Sequence, residues 1–245
     1  MPSATLTTSA QITPIKTEPM KVLLFDIDGT LVNTHRAGKD AMIEAFLEVA
    51  ELTDLNHVLQ VSGKTDRGIF AELYELHGKT LDEAAWQRFL DLYLSGLSTN
   101  LPQRQGLILE GVSVLLAKLS QRDDVLLGLL TGNVEKGALI KLSHYGIHEY
   151  FAFGGYGDHH PDRNDVARAA LEAAEAHVGQ KIPPENVYVI GDTPNDVRCA
   201  RAIGAKAVAV ATGVYTEEQL RESEPDLLLT NLSDFESIHQ FIFQG

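Results

Sequence analysis

The chain has 245 residues, 44% of them hydrophobic, which is enough for one large domain or for a core with a smaller second domain. It carries 34 acidic and 20 basic residues, and the formal net charge of -14 disfavours nucleic acid and anionic membranes as partners. The one cysteine, Cys199, excludes an intrachain disulfide and suits a reducing compartment, so we expect a cytoplasmic location. No apolar run approaches the roughly 20 residues that a membrane-spanning helix needs.

The first part of the chain differs in composition from the rest. Residues 1–19 are rich in Ser, Thr and Pro and lack the basic start and apolar stretch of a signal peptide, so we interpret them as a flexible tail. Short apolar runs follow, and runs that are apolar on both alternations predict strands buried on both faces of a sheet. They cover residues 22–25, 125–130, 187–190, 207–211 and 227–229, with 151–153 as a weaker candidate.

Helical patterns separate these predicted strands. They cover residues 112–119, 134–144, 165–178 and 196–203. Alternation of strands and helices indicates a parallel sheet covered by helices on both faces. The sequence therefore predicts an α/β fold with a doubly wound, Rossmann-like parallel sheet.

The interval between the first two strands is unusually long. About 100 residues separate them, far more than one crossover helix needs, and three helical patterns lie within the interval, at 37–50, 66–77 and 81–97. We predict an inserted α-helical cap domain at 36–103, with a core formed by 20–35 and 104–245. The alternative is a long helical excursion packed into the main core.

Small, polar or acidic residues follow three of the predicted strands. Since ligands bind beyond the carboxyl ends of parallel strands, these residues are candidates for one site. They are Asp26 and Asp28 after the first strand, Thr131, Gly132 and Asn133 after the second, and Asp192 and Asp196 after the third.

The first acidic pair indicates a cation. In an extended chain Asp26 and Asp28 face the same way, and two nearby carboxylates need a cation or a shared proton. A hard divalent ion such as Mg²⁺ would be a suitable cation for these two carboxylates. The alternative interpretation is that the two aspartates are structural and cap the strand end and the turn that follows it. Thr131 also fits the cap of the following helix, and Thr193-Pro194 fits a helix start.

These segments together resemble a known family. The segment Asp26-Ile27-Asp28-Gly29-Thr30-Leu31 resembles the first motif of the haloacid dehalogenase-like hydrolase superfamily. Thr131 is similar to its second motif and the segment Gly191-Asp192-Thr193-Pro194-Asn195-Asp196 to its fourth. The resemblance covers about residues 20–240. The helical insertion resembles the caps of subfamily I, which includes phosphoglycolate phosphatase and β-phosphoglucomutase.

The resemblance implies a magnesium-dependent phosphatase that forms an aspartyl-phosphate. Asp26 would be the nucleophile, and Asp28 would protonate the leaving oxygen and later activate water. The implied metal residues are Asp26, Asp28 through its backbone carbonyl, Asp192, and Asp196, which would hold the metal site or orient a cationic residue. Thr131, Gly132 and Asn133 would bind the phosphoryl group. Local cations, the metal or helix N-termini would have to reverse the negative field of the chain.

The third motif of the family, a lysine or arginine, has no obvious match. We assign it to Arg163, which precedes a predicted helix, in preference to Arg168 or Lys181. Residues 62–67 resemble a cap loop of this subfamily, so Lys64 or Arg67 could bind substrate or add positive potential, and we assign substrate binding to Lys64. The alternative for this loop is an ordinary helix start capped by Thr65 or Ser62.

Several functions fit these motifs. The resemblance implies hydrolysis of a small phosphorylated metabolite, and phosphoglycolate is the candidate substrate. A phosphomutase would share the core motifs, and a phosphonatase would use a cap lysine such as Lys64. A dehalogenase is disfavoured because family members that are dehalogenases typically lack the second aspartate of the first motif, which is Asp28 here. A non-catalytic binding protein is the alternative of another class. We expect no nucleic acid or membrane partner, and a monomer or homodimer.

Overall fold

The computed structural model describes residues 20–55, 59–80 and 82–244, so the predicted tail at 1–19 lies outside the described residues. Its central feature is a six-stranded parallel sheet. The strands are β1 (Lys21–Phe25), β4 (Val125–Leu130), β5 (Gly154–Gly155), β6 (Val187–Gly191), β7 (Lys206–Val210) and β8 (Leu227–Leu229). Their order in the sheet is β5-β4-β1-β6-β7-β8, which places β1 between β4 and β6. A separate antiparallel pair joins β2 (Val32–Asn33) to β3 (Leu107–Ile108).

Helices cover both faces of this sheet. In chain order the described helices are α1 (Ala37–Ala50), α2 (Asp66–Leu76), α3 (Glu83–Asn100), α4 (Val112–Leu119), α5 (Glu135–His144), α6 (Arg163–Val178), α7 (Pro194–Ala202), α8 (Glu217–Arg221) and α9 (Phe235–Phe243). Leu23 and Phe25 of β1 pack in a cluster with α4, α5 and α9. Val22 and Leu24 pack on the other face with α6 and α7. Alternate residues of one strand therefore serve two cores, which explains why the strand is apolar on both alternations.

Helices α1, α2 and α3 form an insertion between β2 and β3, with an apolar cluster of their own. The rings of Trp86, Phe89 and Tyr93 stack along α3, with centroids 5.5 and 5.7 Å apart. Val134, which precedes α5, also belongs to this cluster, so the insertion packs onto the chain just after β4. The domain limits at 36 and 103 stay a prediction, but the insertion has enough buried aromatic surface to stabilise its three helices.

The edge of the sheet differs from the prediction. The strand expected at 151–153 lies at Gly154–Gly155, although the backbone before it already bonds to β4: the Ala152 N–H donates to the Leu127 carbonyl, and the Phe153 carbonyl accepts the Leu129 N–H. A Cβ at Gly155 would collide with the carbonyl oxygen of Val166 in α6. Helix α6 therefore approaches the edge strand closely enough to require glycine there, which removes the apolar signal.

Candidate active site

Three buried aspartates meet at the carboxyl edge of the sheet. Asp26 follows β1, Asp192 follows β6, and Asp196 lies in the first turn of α7. One carboxylate oxygen of each lies within 4.8 Å of the others, and in the described part of the chain no other group of His, Cys, Asp or Glu side chains has metal-binding spacing. The strand order explains this convergence, because β1 and β6 are adjacent and parallel.

Glycines allow the chain to close around Asp192. Gly29 has φ +86°, and a Cβ there would lie 2.5 Å from Asp192 Oδ2. A Cβ at Gly213 would collide with the same carboxylate. The Thr30 hydroxyl donates to Asp192 Oδ1 over 3.1 Å. The first motif and the segment after β7 therefore enclose one carboxylate through close backbone approach.

Arg163 connects two of the three aspartates. It is the first residue of α6, which Asp162 caps by accepting the Asn164 N–H. Its Nη2 lies 2.9 Å from Asp26 Oδ1 and 2.5 Å from Asp196 Oδ1, and its side chain is buried. Burial opposes the charged guanidinium, but Asp196 and Asp26 outweigh it and raise the pKa of Arg163.

The other two candidates for the third motif lie elsewhere. Arg168 pairs with Asp165 on the exposed face of α6, and Lys181 pairs with Glu175 while its own side chain is 90% exposed. Of the three predicted cations, Arg163 is therefore the one that the fold brings to the acidic cluster.

Asp196 uses both of its oxygens within the protein. Oδ2 accepts from the backbone N–H and the hydroxyl of Thr193, at 3.0 and 2.7 Å, and Oδ1 accepts from Arg163. Thr193 caps α7 and Pro194 is its first residue, so the predicted helix start is also present. Of the two roles predicted for Asp196, this geometry favours orientation of the cation.

The second motif forms a polar network with the first. The Thr131 hydroxyl accepts from Asn133 Nδ2 over 2.8 Å, and the same Nδ2 donates to Asp28 Oδ2 over 2.9 Å. Thr131 does not cap α5, since that helix begins after Val134 and has no side-chain cap at that residue. Gly132 packs against the backbone of Lys64, where a Cβ would collide with the carbonyl oxygen.

The N-terminus of α5 is instead capped by residues from other elements. Asp66, the first residue of α2, accepts the Val134 N–H over 2.9 Å, and Asp158 accepts the Glu135 N–H over 2.8 Å. The Asp66 N–H in turn donates to the Gly132 carbonyl over 2.7 Å. The two bonds of Asp66 connect the insertion to the chain after β4.

Sequence reasoning missed Lys141, a buried lysine at this site. It lies in α5 and is 3% exposed, with Nζ 2.5 Å from Asp28 Oδ2 and 2.6 Å from Asn133 Oδ1. A signal for it exists in the helix: Lys141 follows the buried Ala138 by three residues and precedes the buried Leu142, so it lies on the inward face.

The predicted cap loop meets the fourth motif. Thr65 caps α2 by accepting the Gly68 N–H over 3.0 Å, which is the helix start considered as the alternative. The Gly63 carbonyl accepts from Asn195 Nδ2 over 2.6 Å. Lys64 lines the cavity described below and pairs with Glu72. Its role in substrate binding stays a prediction.

A cavity of about 310 Å³ lies between the insertion and the carboxyl edge of the sheet. Both parts of the chain contribute polar side chains to its wall: Asp26, Asp28, Asn133, Lys141, Arg163 and Asp192 from the core, and Arg36, Lys39, Lys64, Asp66 and Tyr93 from the insertion or its flanks. This size is at the lower end for sites that bind small molecules.

Burial makes the acidic cluster unfavourable without a cation. Burial chiefly raises the pKa of Asp26 to about 6, against the opposing effect of Arg163, and it raises the pKa of Asp192 well above its usual value. When ionised, the carboxylates of Asp26, Asp28, Asp192 and Asp196 carry four negative charges against the two positive charges of Arg163 and Lys141, which leaves two negative charges unbalanced. A divalent cation with oxygen ligands fits this charge and this donor set.

Comparison with known proteins shows which family the chain belongs to. The model of the haloacid dehalogenase-like hydrolase family matches residues 23–210. The chain belongs to this family. A phosphoglycolate phosphatase from Synechococcus elongatus is 29% identical over 221 residues, 88% of this chain and 95% of that protein. One from Nitrosococcus oceani is 27% identical over 222 residues, 89% of this chain and 96% of that protein. The pyrophosphatase PpaX from Anoxybacillus flavithermus is 24% identical over 226 residues, 89% of this chain and 96% of that protein.

Solved structures have the same fold. A predicted phosphoglycolate phosphatase from Haemophilus somnus has a TM-score of 0.68 at 21% identity, over 90% of this chain and 98% of that one. CbbY from Rhodobacter sphaeroides, in complex with phosphate, has a TM-score of 0.67 at 18% identity, over 88% of this chain and 96% of that one.

These findings confirm the predicted family, the predicted fold class and the prediction of an enzyme, a phosphatase of this family. Across residues 20–55, 59–80 and 82–244 no helix is long and apolar enough to cross a membrane.

Proposed function

We propose that this enzyme is a magnesium-dependent phosphatase of a small phosphorylated metabolite of the phosphoglycolate type, acting through an aspartyl-phosphate on Asp26. The observation that carries the proposal is the buried contact of Arg163 with Asp26 at 2.9 Å, at a cavity that Asp26, Arg163 and Asp192 line, with an Asp196 carboxylate oxygen within 4.8 Å of those of Asp26 and Asp192. A cation beside the nucleophile is what an incoming phosphoryl group requires. A cytoplasmic location is part of this proposal and is compatible with the buried free thiol of Cys199.

Mg²⁺ fits the acidic cluster for two reasons. Its preferred ligands are oxygens, and the residues that would hold it are Asp26, Asp192 and the backbone carbonyl of Asp28, with Asp196 supporting the site through Arg163. The second reason is the two unbalanced negative charges of this cluster when its carboxylates are ionised. When bound, the ion would offset charge on the transferring phosphoryl group.

The chain's own residues account for both chemical steps. First, an Asp26 carboxylate oxygen attacks phosphorus, the bond from phosphorus to the ester oxygen breaks, and Asp28 gives its proton to that leaving oxygen. Next, the Asp28 carboxylate takes a proton from water, and the resulting hydroxide attacks the aspartyl-phosphate at phosphorus. The bond to the Asp26 oxygen breaks, and inorganic phosphate and the Asp26 carboxylate are released. Thr131, Gly132, Asn133 and Lys64 are the proposed phosphoryl and substrate contacts.

Lys39 supports a substrate that carries a second negative group besides its phosphate. This residue of α1 lines the cavity, and its Nζ donates to the Leu59 carbonyl over 2.7 Å. Among the described residues no carboxylate pairs with it, in contrast to Arg36, Lys64, Lys141 and Arg163, the other cations of the cavity wall. The carboxylate of a phosphoglycolate-like substrate would provide the missing partner. If so, Lys39→Met should raise KM for phosphoglycolate and leave KM for p-nitrophenyl phosphate nearly unchanged.

The test of the function is turnover of p-nitrophenyl phosphate with Mg²⁺ and after its removal by EDTA. We expect activity only with the metal, and we expect Asp26→Asn to abolish both turnover and the acid-stable phosphorylated protein seen by mass spectrometry. Asp91→Asn, which changes an exposed aspartate of α3, is the matched control. A folded wild-type protein without metal-dependent turnover, or a fully active Asp26→Asn variant, would refute the proposal.

The alternatives have distinct products. Assay of a panel of phosphorylated metabolites and pyrophosphate for inorganic phosphate release identifies the substrate. A phosphomutase would yield an isomerised sugar phosphate instead of inorganic phosphate. A phosphonatase would form a Schiff base on Lys64, which borohydride traps. A non-catalytic binding protein would retain affinity for phosphorylated metabolites but turn none of them over.

A further inference from the structure

One lysine of α5 is buried beside the proposed acid–base residue. Nζ of Lys141 bonds to Asp28 Oδ2 at 2.5 Å and to Asn133 Oδ1 at 2.6 Å. Burying an ammonium group is costly unless it is paired and hydrogen-bonded, so this lysine is held in place by what it contacts. Lys136, on the same helix, is exposed.

We propose that Lys141 is a positioning residue: together with Asn133 it holds the Asp28 carboxyl in the orientation from which Asp28 protonates the leaving oxygen of the substrate. This inference rests on the phosphatase mechanism proposed above. It concerns the geometry of Asp28 and assigns no direct contact between Lys141 and the reacting phosphorus.

Packing alone does not fix the Asp28 side chain, which is 41% exposed. Two donors hold it, Lys141 Nζ and Asn133 Nδ2, and both bond to Oδ2. Within the described residues no donor bonds to Oδ1. The two donors therefore hold Oδ2 against the protein and leave Oδ1 without a donor at the cavity wall, where it can carry the proton.

Lys141 also fixes the second donor. Asn133 Oδ1 accepts from Lys141, which directs the amide nitrogen toward Thr131 Oγ1 and Asp28 Oδ2. The three side chains of Asp28, Asn133 and Lys141 thus form a closed triangle of hydrogen bonds. Removing the ammonium group removes one direct bond to Asp28 and frees the amide that makes the other.

The insertion prevents Lys141 from swinging away. Gly38 of α1 packs over the end of the side chain, where a Cβ would lie 3.2 Å from Nζ and 3.3 Å from Cε. Leu97 of α3 lies on the same side, 3.9 Å from that Cβ position. Between the insertion on one side and Asp28 on the other, the Lys141 side chain is only 4% exposed.

The leaving group provides a selective test. Breaking the ester bond leaves the electron pair on the departing oxygen, and an alkoxide needs the proton of Asp28 whereas p-nitrophenolate does not. The ratio kcat/KM covers the steps up to loss of the alcohol and excludes hydrolysis of the aspartyl-phosphate. A misplaced Asp28 should therefore lower kcat/KM for alkyl esters far more than for p-nitrophenyl phosphate.

The experiment measures kcat/KM with saturating Mg²⁺ for a series of aryl and alkyl phosphates of increasing leaving-group pKa. For Lys141→Met we expect a fall of about a hundredfold on an alkyl phosphate and less than about threefold on p-nitrophenyl phosphate, since general acid catalysis contributes 10²–10⁴-fold. Lys136→Met, on the same helix but exposed, should match the wild type throughout the series.

Equal losses of kcat/KM on all esters would show that Lys141 has only a structural role, and no loss on any ester would show that it does not position Asp28. Either result would overturn this inference and leave the proposed phosphatase function intact. If Lys141→Met does not fold, Asn133→Ala removes the other donor to Asp28, and the same steeper dependence on the leaving group is expected. A uniform loss in that variant overturns the inference too. A wild-type protein that hydrolyses no ester overturns the proposed function and this inference together.

Discussion

Replacing Asp66 by asparagine should remove a large pH-dependent loss of stability. Asp66 is 6% exposed, and its Oδ2 accepts the Val134 N–H over 2.9 Å where α2 meets the chain after β4. Burial, opposed chiefly by Lys141, raises the pKa of this carboxyl to about 7. Asparagine keeps an oxygen that can accept the Val134 N–H but has no proton to lose.

The sign and size follow from the difference between folded and unfolded pKa values. The unfolded carboxyl titrates near 3.8, so below that pH Asp66 is protonated in both states and its full contribution to stability is present. As pH rises toward 7 the unfolded chain ionises freely and the folded one does not, and the free energy of unfolding falls. The full shift corresponds to about 4 kcal/mol, of which about 3 kcal/mol falls between pH 5 and pH 8.

The assay is urea unfolding at pH values from 5 to 8 in EDTA, followed by fluorescence of Trp86, the chain's single tryptophan, which is buried in the insertion. Relative to wild type, Asp66→Asn should gain about 3 kcal/mol in stability from the lowest to the highest pH. The control is Asp82→Asn, which changes the exposed capping aspartate of α3. Its free energy of unfolding should differ from that of the wild type by the same amount at every pH from 5 to 8, because an exposed side chain is hydrated in both the folded and the unfolded state. If the difference in free energy of unfolding between Asp66→Asn and wild type does not change with pH, the argument that burial raises the pKa of Asp66 is refuted.

Three further predictions concern the acidic cluster. Gly29→Ala should lower stability by more than about 1 kcal/mol and weaken Mg²⁺ binding in calorimetry, because φ is +86° and the new Cβ would lie 2.5 Å from Asp192 Oδ2. Arg163→Met should cost about 3–5 kcal/mol in urea unfolding with EDTA, since it leaves Asp26 and Asp196 uncompensated, and Mg²⁺ should restore part of the loss. Inorganic phosphate should bind measurably only with Mg²⁺ present; equal affinity in EDTA would contradict the charge balance given for the site.

The strands were predictable because their burial leaves a local signal. A strand covered on both faces is apolar at every position, and the predicted run 125–130 coincides with β4 and 227–229 with β8. The edge strand was misplaced for a physical reason: close approach of α6 requires Gly155, and glycine carries no apolar signal. The strand ends then identified Asp26 and Asp192, since parallel neighbours place their carboxyl ends together.

Contacts between distant elements were not predictable in the same way. The helical pattern places Lys141 on the inward face of α5, but nothing near it in sequence indicates that it meets Asp28, 113 residues away. Asp66 likewise reads as an acidic first turn, whereas it caps α5 from 68 residues away. Both contacts depend on how the insertion and the helix after β4 pack against each other, which a linear pattern does not encode.

The charges around the cavity explain how so acidic a chain can receive a phosphoryl group. Arg163 and Lys141 are both buried, and each is already paired with carboxylates, so neither contributes a free positive charge to the cavity. Their effect is to neutralise and orient Asp26 and Asp28 at fixed positions. In the proposed mechanism the attraction for the phosphoryl group would come from a metal ion at Asp26 and Asp192 and from Lys39 at the insertion side. Catalytic competence in this enzyme would therefore depend on the metal more than on the overall field of the protein.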